Sequence, residues 1–337
     1  MSQPAQPETT DVPMGDEMSK GAGVKLTYET ISGVAIWLIL AALIIISALL
    51  SPAFLRQNNI TNLLKQSAPL GIVSVGQTFV ILTGGIDLSV ASVMALMSVL
   101  AAGMMAGESS QVIPISLFCL GVAISIGLFN GILVTKLRIP SFIATLGTIL
   151  IVQGIRFLYT GGAPKGEIPD DFRFWGRGML GPIPAPLIVW VVVVLICLFV
   201  ERRTTFGRRL FAVGGNPATS HLSGVNVHRI TIMAYVICSF LAGVAGLMLT
   251  GYIGLADNWL GRGYELNSIA AVVIGGTMLS GGKGSVLGCV AGVAILTILY
   301  NMVLLLGLDV ESQRIVKGLA IIVAVALYAR MRERGQG

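Results

Sequence analysis

Residues 201–229 read ERRTTFGRRLFAVGGNPATSHLSGVNVHR, a basic, glycine-rich loop between two long apolar segments, residues 183–200 and 230–253. It is the longest polar stretch between apolar segments in this chain. A membrane protein that places its most elaborate loop on its arginine-rich side offers a docking surface to a soluble partner. The stretch therefore predicts both a membrane fold and a point of contact with another protein.

The composition indicates what surrounds the rest of the chain. Of the 337 residues only 11% are charged and 55% are hydrophobic, and the mean hydropathy is +0.86. A soluble globule of this length could not keep so much apolar surface from water, so most of it faces lipid. The four cysteines lie inside apolar runs without the close pairing of metal or redox motifs, which predicts packing roles.

A bilayer core requires about 20 apolar residues per helix, and the chain contains ten candidate spans. The predicted spans are Ile31–Leu50, Leu63–Leu82, Leu88–Met105, Val112–Thr135, Ile139–Tyr159, Ile183–Val200, Ile230–Ile253, Leu266–Leu279, Ser285–Leu306 and Glu311–Arg330. The eighth is short and ends in a glycine-rich sequence, which is typical of a broken or partly re-entrant helix. The fold class is therefore an all-α polytopic membrane protein.

The distribution of lysine and arginine predicts the orientation of these spans. With the N-terminus inside, the inner segments carry thirteen basic residues and the outer segments six, which places both termini and residues 201–229 in the cytoplasm. Residues 1–29 are expected to be a disordered tail, residues 30–330 the membrane domain and residues 331–337 a second tail. The formal charge of +6 then reflects topology, and no nucleic-acid partner is expected.

No catalytic, metal or nucleotide motif stands out. A phosphate loop around Lys283 is excluded because Thr277 replaces the first glycine and Gly284 follows the lysine. The two histidines, His221 and His228, are too poorly placed for a metal site. We therefore expect no catalytic residue, no metal and no bound cofactor, and any energy source must lie on another chain.

Ionisable residues within apolar spans are candidates for function because they are costly there. Arg314 and Lys317 fit snorkelling near a helix end. Asp87 fits either solute contact or N-capping of the third span. The turn predicted around it contains Gly84, Gly85, Asp87 and Ser89.

Uncharged polar residues are more numerous in the spans than acids or bases. They suit a pathway for a neutral, hydroxylated solute, or equally hydrogen bonds between helices. Phe142, which follows Ile139 and Pro140, is a candidate for an aromatic constriction. The candidate pathway residues are Gln77, Thr78, Asn130, Phe142, Thr145, Thr148 and Asn267.

Four blocks of sequence resemble a known family. They are GQTFVILTGGIDLSVAS (76–92), GLFNGILVTKLRIPSFIATLGT (127–148), TTFGRRLFAVGGNPATSHLSGVNVHR (204–229) and YELNSIAAVVIGGTMLSGGKGSVLG (264–288). In this order, across residues 50–328, the chain resembles the membrane subunits of ribose-type ABC sugar importers. It departs from the family pattern at Ala91 and Met302, where glycine is common.

The resemblance implies about ten helices in the fold of the cobalamin-type importers, in the inner membrane of a bacterium. It implies a second permease subunit, a cytoplasmic ATPase that binds ATP and magnesium, and an extracytoplasmic solute-binding protein. It also implies that residues 201–229 couple the permease to the ATPase, through a short helix held between glycines. The coupling residues carried over are Phe206, Gly207, Arg208, Arg209, Gly214, Gly215, Asn216 and Gly224.

The expected function is import of a monosaccharide or related polyol by alternating access. A self-contained secondary transporter would instead need a coupling carboxylate near the midplane, and an intramembrane enzyme would need a nucleophile with a base. Within the coupling loop, Gly215 is expected to be a position that only glycine fits, so that Gly215→Val would displace the backbone.

Overall fold

The computed structural model describes residues 21–309 together with positions 311, 312, 315, 318, 319 and 322, and the described chain is mainly helical. Its helices are α1 (Gly21–Leu50), α2 (Gln57–Leu82), α3 (Val90–Met105), α4 (Val112–Thr135), α5 (Ser141–Thr160), α6 (Asp170–Arg177), α7 (Ala185–Arg203), α8 (Thr205–Gly215), α9 (Pro217–Leu222), α10 (Val227–Ile253), α11 (Tyr264–Ile274) and α12 (Val286–Leu305). A 3₁₀ turn, Ser109–Gln111, precedes α4. The two-residue strands β1 (Met179–Leu180) and β2 (Ile183–Pro184) pair antiparallel, with Met179 opposite Pro184.

Five described helices are long and apolar enough to cross a membrane: α4 with its preceding turn, α5, α7, α10 and α12. Three further apolar helices are shorter, namely residues 35–50 of α1, α3 and α11. Helices satisfy their own backbone hydrogen bonds, which is what lipid requires of a spanning segment. The chain is a polytopic helical membrane protein, as its composition predicts.

The helix bounds agree with most of the predicted spans, and two differences from the prediction stand out. The eighth predicted span contains α11, which ends at Ile274 and is followed by irregular backbone up to residue 285. Residues 21–29, predicted as part of a disordered tail, form the beginning of α1. The remainder of that tail, most of the tenth span and the C-terminal tail lie outside the described residues.

The helices run between two ends of the bundle. At the end that carries α6, the backbone nitrogen of Gly107 donates to the Glu167 carbonyl at 3.0 Å, and Glu167 forms a bridge with Leu255. At the opposite end, which carries α8 and α9, the start of α12 meets the end of α7. These are called the α6 end and the α8 end below.

Helix α10 is the centre of the bundle, in contact with α2, α3 and α4. Its neighbours approach so closely that glycines replace side chains at the crossings. A Cβ on Gly127 of α4 would lie 2.6 Å from the carbonyl oxygen of Tyr235. One on Gly246 of α10 would lie 2.7 Å from the Cα of Met94. Small residues at such crossings permit the dispersion contacts that hold helices together in lipid.

Polar side chains add a second kind of contact between helices. Asn59 of α2 and Asn301 of α12 exchange two hydrogen bonds, at 3.0 and 2.8 Å. Asn59 also donates to the carbonyl oxygen of Phe54 at 2.9 Å, ahead of α2. This amide pair fixes the end of α12 to the beginning of α2.

The arrangement predicts that the two ends of the bundle lie on opposite sides of the membrane. Leu222 at the α8 end is 87% exposed, and Asp171 at the α6 end is also exposed. The four native cysteines are buried, so they give little background. We expect a membrane-impermeant thiol reagent to label Asp171→Cys in intact cells and Leu222→Cys only in inverted vesicles. Labelling of both variants from the same side would contradict the topology.

Candidate docking loop and buried polar network

Three side-chain caps shape the loop between α7 and α10. The Thr204 hydroxyl accepts from the backbone nitrogen of Gly207 at 3.2 Å and so begins α8. Asn216 accepts from Thr219 at 3.0 Å at the start of α9, and Asn226 accepts from Arg229 at 3.0 Å at the start of α10. Such caps satisfy backbone N–H groups that a helix start leaves unpaired. The predicted single short helix is therefore two capped helices.

One face of α8 packs against the bundle. Leu210 and Val213 are buried, and the ring of Phe206 stacks on that of Phe79 in α2 with centroids 6.3 Å apart. The apolar positions recur at helical spacing, so α8 turns a single side toward the membrane domain. The loop is thereby seated on the end of α2.

The opposite face of the loop is free for a partner. Arg208 and Arg209 are exposed, and neither forms an ion pair with a carboxylate in the described part of the chain. Leu222 at the end of α9 is 87% exposed, which is unusual for a large apolar side chain on a polar loop. Exposed apolar and arginine side chains on one loop are typical of a protein interface.

The glycines of the loop differ in how tightly they are held. A Cβ on Gly207 would strike the carbonyl oxygen of Glu201, and one on Gly214 would strike that of Leu82. A Cβ on Gly215 would meet nothing within 4 Å, and the φ of Gly215 is not positive. The expectation that Gly215 is the position only glycine fits is therefore wrong, and Gly214 is the restricted position. Gly224 supplies the left-handed turn after α9, with φ +78°.

Glu201, the first residue of the loop stretch, has a role that sequence reasoning missed. Its side chain is 4% exposed, and its two carboxylate oxygens accept from the backbone nitrogen of Val286 at 3.1 and 3.3 Å. A carboxylate is unfavourable near the C-terminus of its own helix α7 and favourable at the N-terminus of α12. An acid in the last turn of a helix was the available signal that a partner helix lies nearby.

A buried polar network joins the turn between α2 and α3 to α4 and α5. Oδ1 of Asp87 accepts from the backbone nitrogen and the hydroxyl of Ser89, at 2.9 and 2.6 Å. Nδ2 of Asn130 donates to the Ser89 hydroxyl at 2.8 Å. The Thr148 hydroxyl donates to Oδ1 of Asn130 at 2.6 Å. The chain of bonds therefore connects three helices through side chains alone.

The backbone of the same turn is held from three further sides. Gln77, with its amide oriented to match, bonds both backbone groups of Asp87 at 3.1 Å. The backbone nitrogen of Ile86 donates to the Ser141 hydroxyl at 3.2 Å. The Tyr235 hydroxyl donates to the Ile86 carbonyl at 3.4 Å. Buried polar groups that are satisfied in this way fix a unique backbone path.

The four predicted turn residues lie together between α2 and α3. Gly84 has φ +80°, which the turn requires. Ser89 holds the N-cap position of α3, and its side chain makes no capping bond. Asp87 therefore shapes the turn before the cap, rather than capping the helix itself.

The candidate pathway residues do not gather around one channel in this chain. Gln77, Asn130 and Thr148 are buried in the network, and Thr145 is also fully buried. Phe142 is 54% exposed. Phe142 therefore differs in exposure from Asn130, Thr145 and Thr148, and the constriction that these four would form stays a prediction.

The two remaining candidates, Thr78 and Asn267, make none of the hydrogen bonds of the network described above. Thr78 is fully buried and donates to the Ser74 carbonyl at 2.8 Å. Asn267 is half-buried on α11.

An apolar groove of about 740 Å³ lies between α3, α4 and α5. Apart from Ser125, Thr148 and Tyr159, its lining is apolar or glycine. Hydroxylated ligands require several convergent donors and acceptors, which this groove does not supply.

A bundle of apolar helices that carries one ordered, outward-facing polar loop has the architecture of a transport permease. The family described as "Branched-chain amino acid transport system / permease component" matches residues 59–325. The chain belongs to this family, and its resemblance to ribose-type sugar permeases is confirmed by individual relatives.

Two relatives are ribose permeases and one is a galactose permease. The ribose import permease protein RbsC of Bacillus subtilis is 43% identical over 289 residues, 85% of this chain and 89% of that protein. RbsC of Escherichia coli K12 is 39% identical, over 89% of this chain and 98% of that protein. The galactose/methyl galactoside import permease MglC of the same strain is 35% identical, over 91% and 97% respectively. No solved structure matches the chain.

The buried network predicts a stability cost when Asn130 is replaced. Asn130→Leu removes its bonds to the Ser89 and Thr148 hydroxyls, which keep their bonds to Asp87 and to the Ala144 carbonyl. The two lost hydrogen bonds cost about 0.5–1.5 kcal/mol each. We expect the thermal unfolding midpoint in detergent to fall by several degrees. The control is Ser125→Ala on the same helix, because the exposed Ser125 hydroxyl bonds only its own helix, to Gly121. An Asn130→Leu midpoint equal to that of the control would show that the network contributes nothing.

Proposed function

We propose that the chain is the permease subunit of an ATP-driven, binding-protein-dependent ABC importer for a monosaccharide, a pentose or hexose, or a related polyol. The observation that carries the proposal is the loop of α8 and α9. It is seated on the bundle by one face, while the other presents exposed arginines and an 87% exposed Leu222. Such a surface has the composition of a protein interface. In this proposal the protein that binds it is a cytoplasmic ATPase.

The ATP and magnesium of this importer belong to the partner ATPase. The loop side of the permease is basic, and Arg208 and Arg209 are free to pair with acidic groups. Leu222 would fill an apolar pocket between those pairs. The side chains would thus fix both the position and the orientation of the ATPase.

The full membrane domain in this proposal has ten helices in the cobalamin-importer arrangement. Nine described helical segments, α1 to α5, α7, α10, α11 and α12, alternate between the two ends. The described positions after residue 310 are helical, which supports a tenth segment. An even number of spans puts both termini on the loop side, and the excess of basic residues puts that side in the cytoplasm of a bacterium.

The solute pathway in this proposal lies between two permease subunits. The side chains of Asn130 and Thr148 already bond each other and Ser89 within the chain, so we place the path for hydroxyl groups on another surface. Helix α5 offers an exposed face that includes Phe142, Leu146 and Leu150. In a pair of subunits, Phe142 would stack on the C–H face of a sugar in that path.

Three proteins are then needed beside this chain: a second permease subunit, the ATPase and a soluble binding protein outside. The binding protein would select the solute before the permease meets it. The ribose and galactose in the names of relatives support a sugar as the solute class.

The test is reconstitution of the permease in proteoliposomes with the ATPase, the binding protein and a radiolabelled pentose or hexose. We expect uptake only when the ATPase and ATP are both present, with a non-hydrolysable ATP analogue as control. Uptake by the permease alone in a proton or sodium gradient would identify a secondary transporter instead.

The docking surface generates a prediction of its own. Reversing both charges in Arg208→Glu/Arg209→Glu removes two ion pairs and adds repulsion, so ATPase binding should weaken by about tenfold or more. The matched control, Lys136→Glu/Arg138→Glu, makes the same charge change in the turn between α4 and α5. If both variants bind the ATPase with wild-type affinity, the loop is not the docking surface.

A further inference from the structure

Three separate segments meet at the α8 end with no side chain between them. They are the end of α2 with the turn that follows it, the end of α8, and the irregular segment between α11 and α12. We call this contact the glycine junction, and it is formed by Leu82, Gly84, Gly214, Gly281 and Gly282. The backbone nitrogen of Gly282 donates to the Leu82 carbonyl at 3.0 Å.

The junction leaves no room for a Cβ on any of three glycines. On Gly214 a Cβ would strike the Leu82 carbonyl oxygen and lie 2.5 Å from the nitrogen of Gly282. On Gly281 it would lie 2.8 Å from the nitrogen of Gly84, and on Gly282 it would lie 2.7 Å from the Cα of Gly215. The three backbones are therefore in direct contact.

Direct backbone contact has a mechanical consequence. Side chains absorb small displacements by changing rotamer, whereas packed backbones do not, because interiors at this density shift as discrete units. Movement of α8 is therefore passed on to both neighbouring segments. A pair of longer side chains in the same place would loosen that link.

Each neighbouring segment leads further into the bundle. The α2–α3 turn continues into the buried network of Asp87, Ser89, Asn130 and Thr148, which reaches α4 and α5. The irregular segment continues into α12 at Val286. There the last turn of α7, which leads into α8, is bonded to the start of α12 through the Glu201 carboxylate.

We propose that Gly214 and Gly282 are positioning residues through which movement of the α8–α9 loop reaches the α2–α3 turn and α12. This inference rests on the proposed function, in which the ATPase moves the loop. The route runs from backbone to backbone and requires no contact between α8 and the solute pathway.

The first variant is Gly214→Ala. Gly214 has no positive φ and lies in the last turn of a helix, where alanine is otherwise the better residue. The substitution therefore disturbs the contact and not the local conformation. Gly282→Asn tests the same contact from the facing segment, because asparagine tolerates the φ of +75° found there. The control is Gly121→Ala on α4, where a Cβ meets nothing within 4 Å.

The first measurement is amide hydrogen exchange of the permease in nanodiscs, without the ATPase. Loss of the bond between Gly282 and Leu82 should raise exchange in the peptides that cover residues 82–89 and 277–286 in both junction variants. The Gly121→Ala control should match wild type. Unchanged exchange in residues 277–286 in both variants would overturn the proposed contact, because that peptide contains the Gly282 amide that donates to Leu82.

The second measurement is coupling in the reconstituted importer. Both junction variants should bind the ATPase with wild-type affinity and hydrolyse ATP, while the solute imported per ATP falls at least tenfold. A merely structural role would lower assembly and hydrolysis together. Wild-type import per ATP in both variants would overturn the inference. Failure of the wild-type complex itself to import solute would count against the proposed function, and the exchange result would still decide whether the junction exists.

Discussion

Lipid gives helices little reason to associate, because hydrocarbon tails are as apolar as the side chains that would be buried. The bundle depends instead on close approach of backbones around α10. At Gly127 and Gly246 the neighbouring helix stands where a side chain would begin. Summed over a long helix, such contacts supply dispersion energy that lipid chains cannot match. The positions of α2, α3 and α4 all follow from this one helix.

Polar contacts then set which of the possible packings is used. The network from Asp87 to Thr148 joins three helices, and the Asn59–Asn301 pair joins two others. Each bond satisfies a group that would be costly to leave unpaired in an apolar interior. Because these groups are occupied within the chain, they serve to hold helices in register. A neutral solute must find its donors and acceptors on surfaces that the single chain leaves open.

The sequence predicted the elements whose signals are local. Apolar length predicted six helices to within three residues at each end, namely α3, α4, α5, α7, α10 and α12. The run of Gly84, Gly85, Asp87 and Ser89 predicted the turn. The presence of the loop followed equally from its composition, whereas its two-helix form depended on the caps at Thr204 and Asn216, which were not recognised.

The errors and omissions concern relations between distant segments. Gly214 and Gly215 are adjacent glycines that the sequence alone cannot tell apart. They differ because a Cβ on Gly214 would meet the Leu82 carbonyl and the Gly282 nitrogen, whereas one on Gly215 would meet nothing within 4 Å. Glu201 has its partner 85 residues later in the chain. Phe142 was grouped with Thr145 and Thr148 by nearness in sequence, although its side chain is exposed while theirs are buried. The break in the helix after α11 was predicted because glycines cluster there. The packing of the irregular segment against α2 and α8 could not be predicted, because it depends on the whole fold.

The bond between Leu82 and Gly282 joins an early and a late part of the chain, so it can form only late in biosynthesis. Ribosomal synthesis proceeds from the N-terminus, and segments emerge in that order. The α8–α9 loop is finished well before residues 281 and 282 exist, so its permanent seat is absent when it first leaves the ribosome. Until α11 and the segment after it have been made, the loop helices have only α2, α7 and α10 to pack against among the described elements. The contact between α8 and the segment after α11 is therefore complete only late in translation.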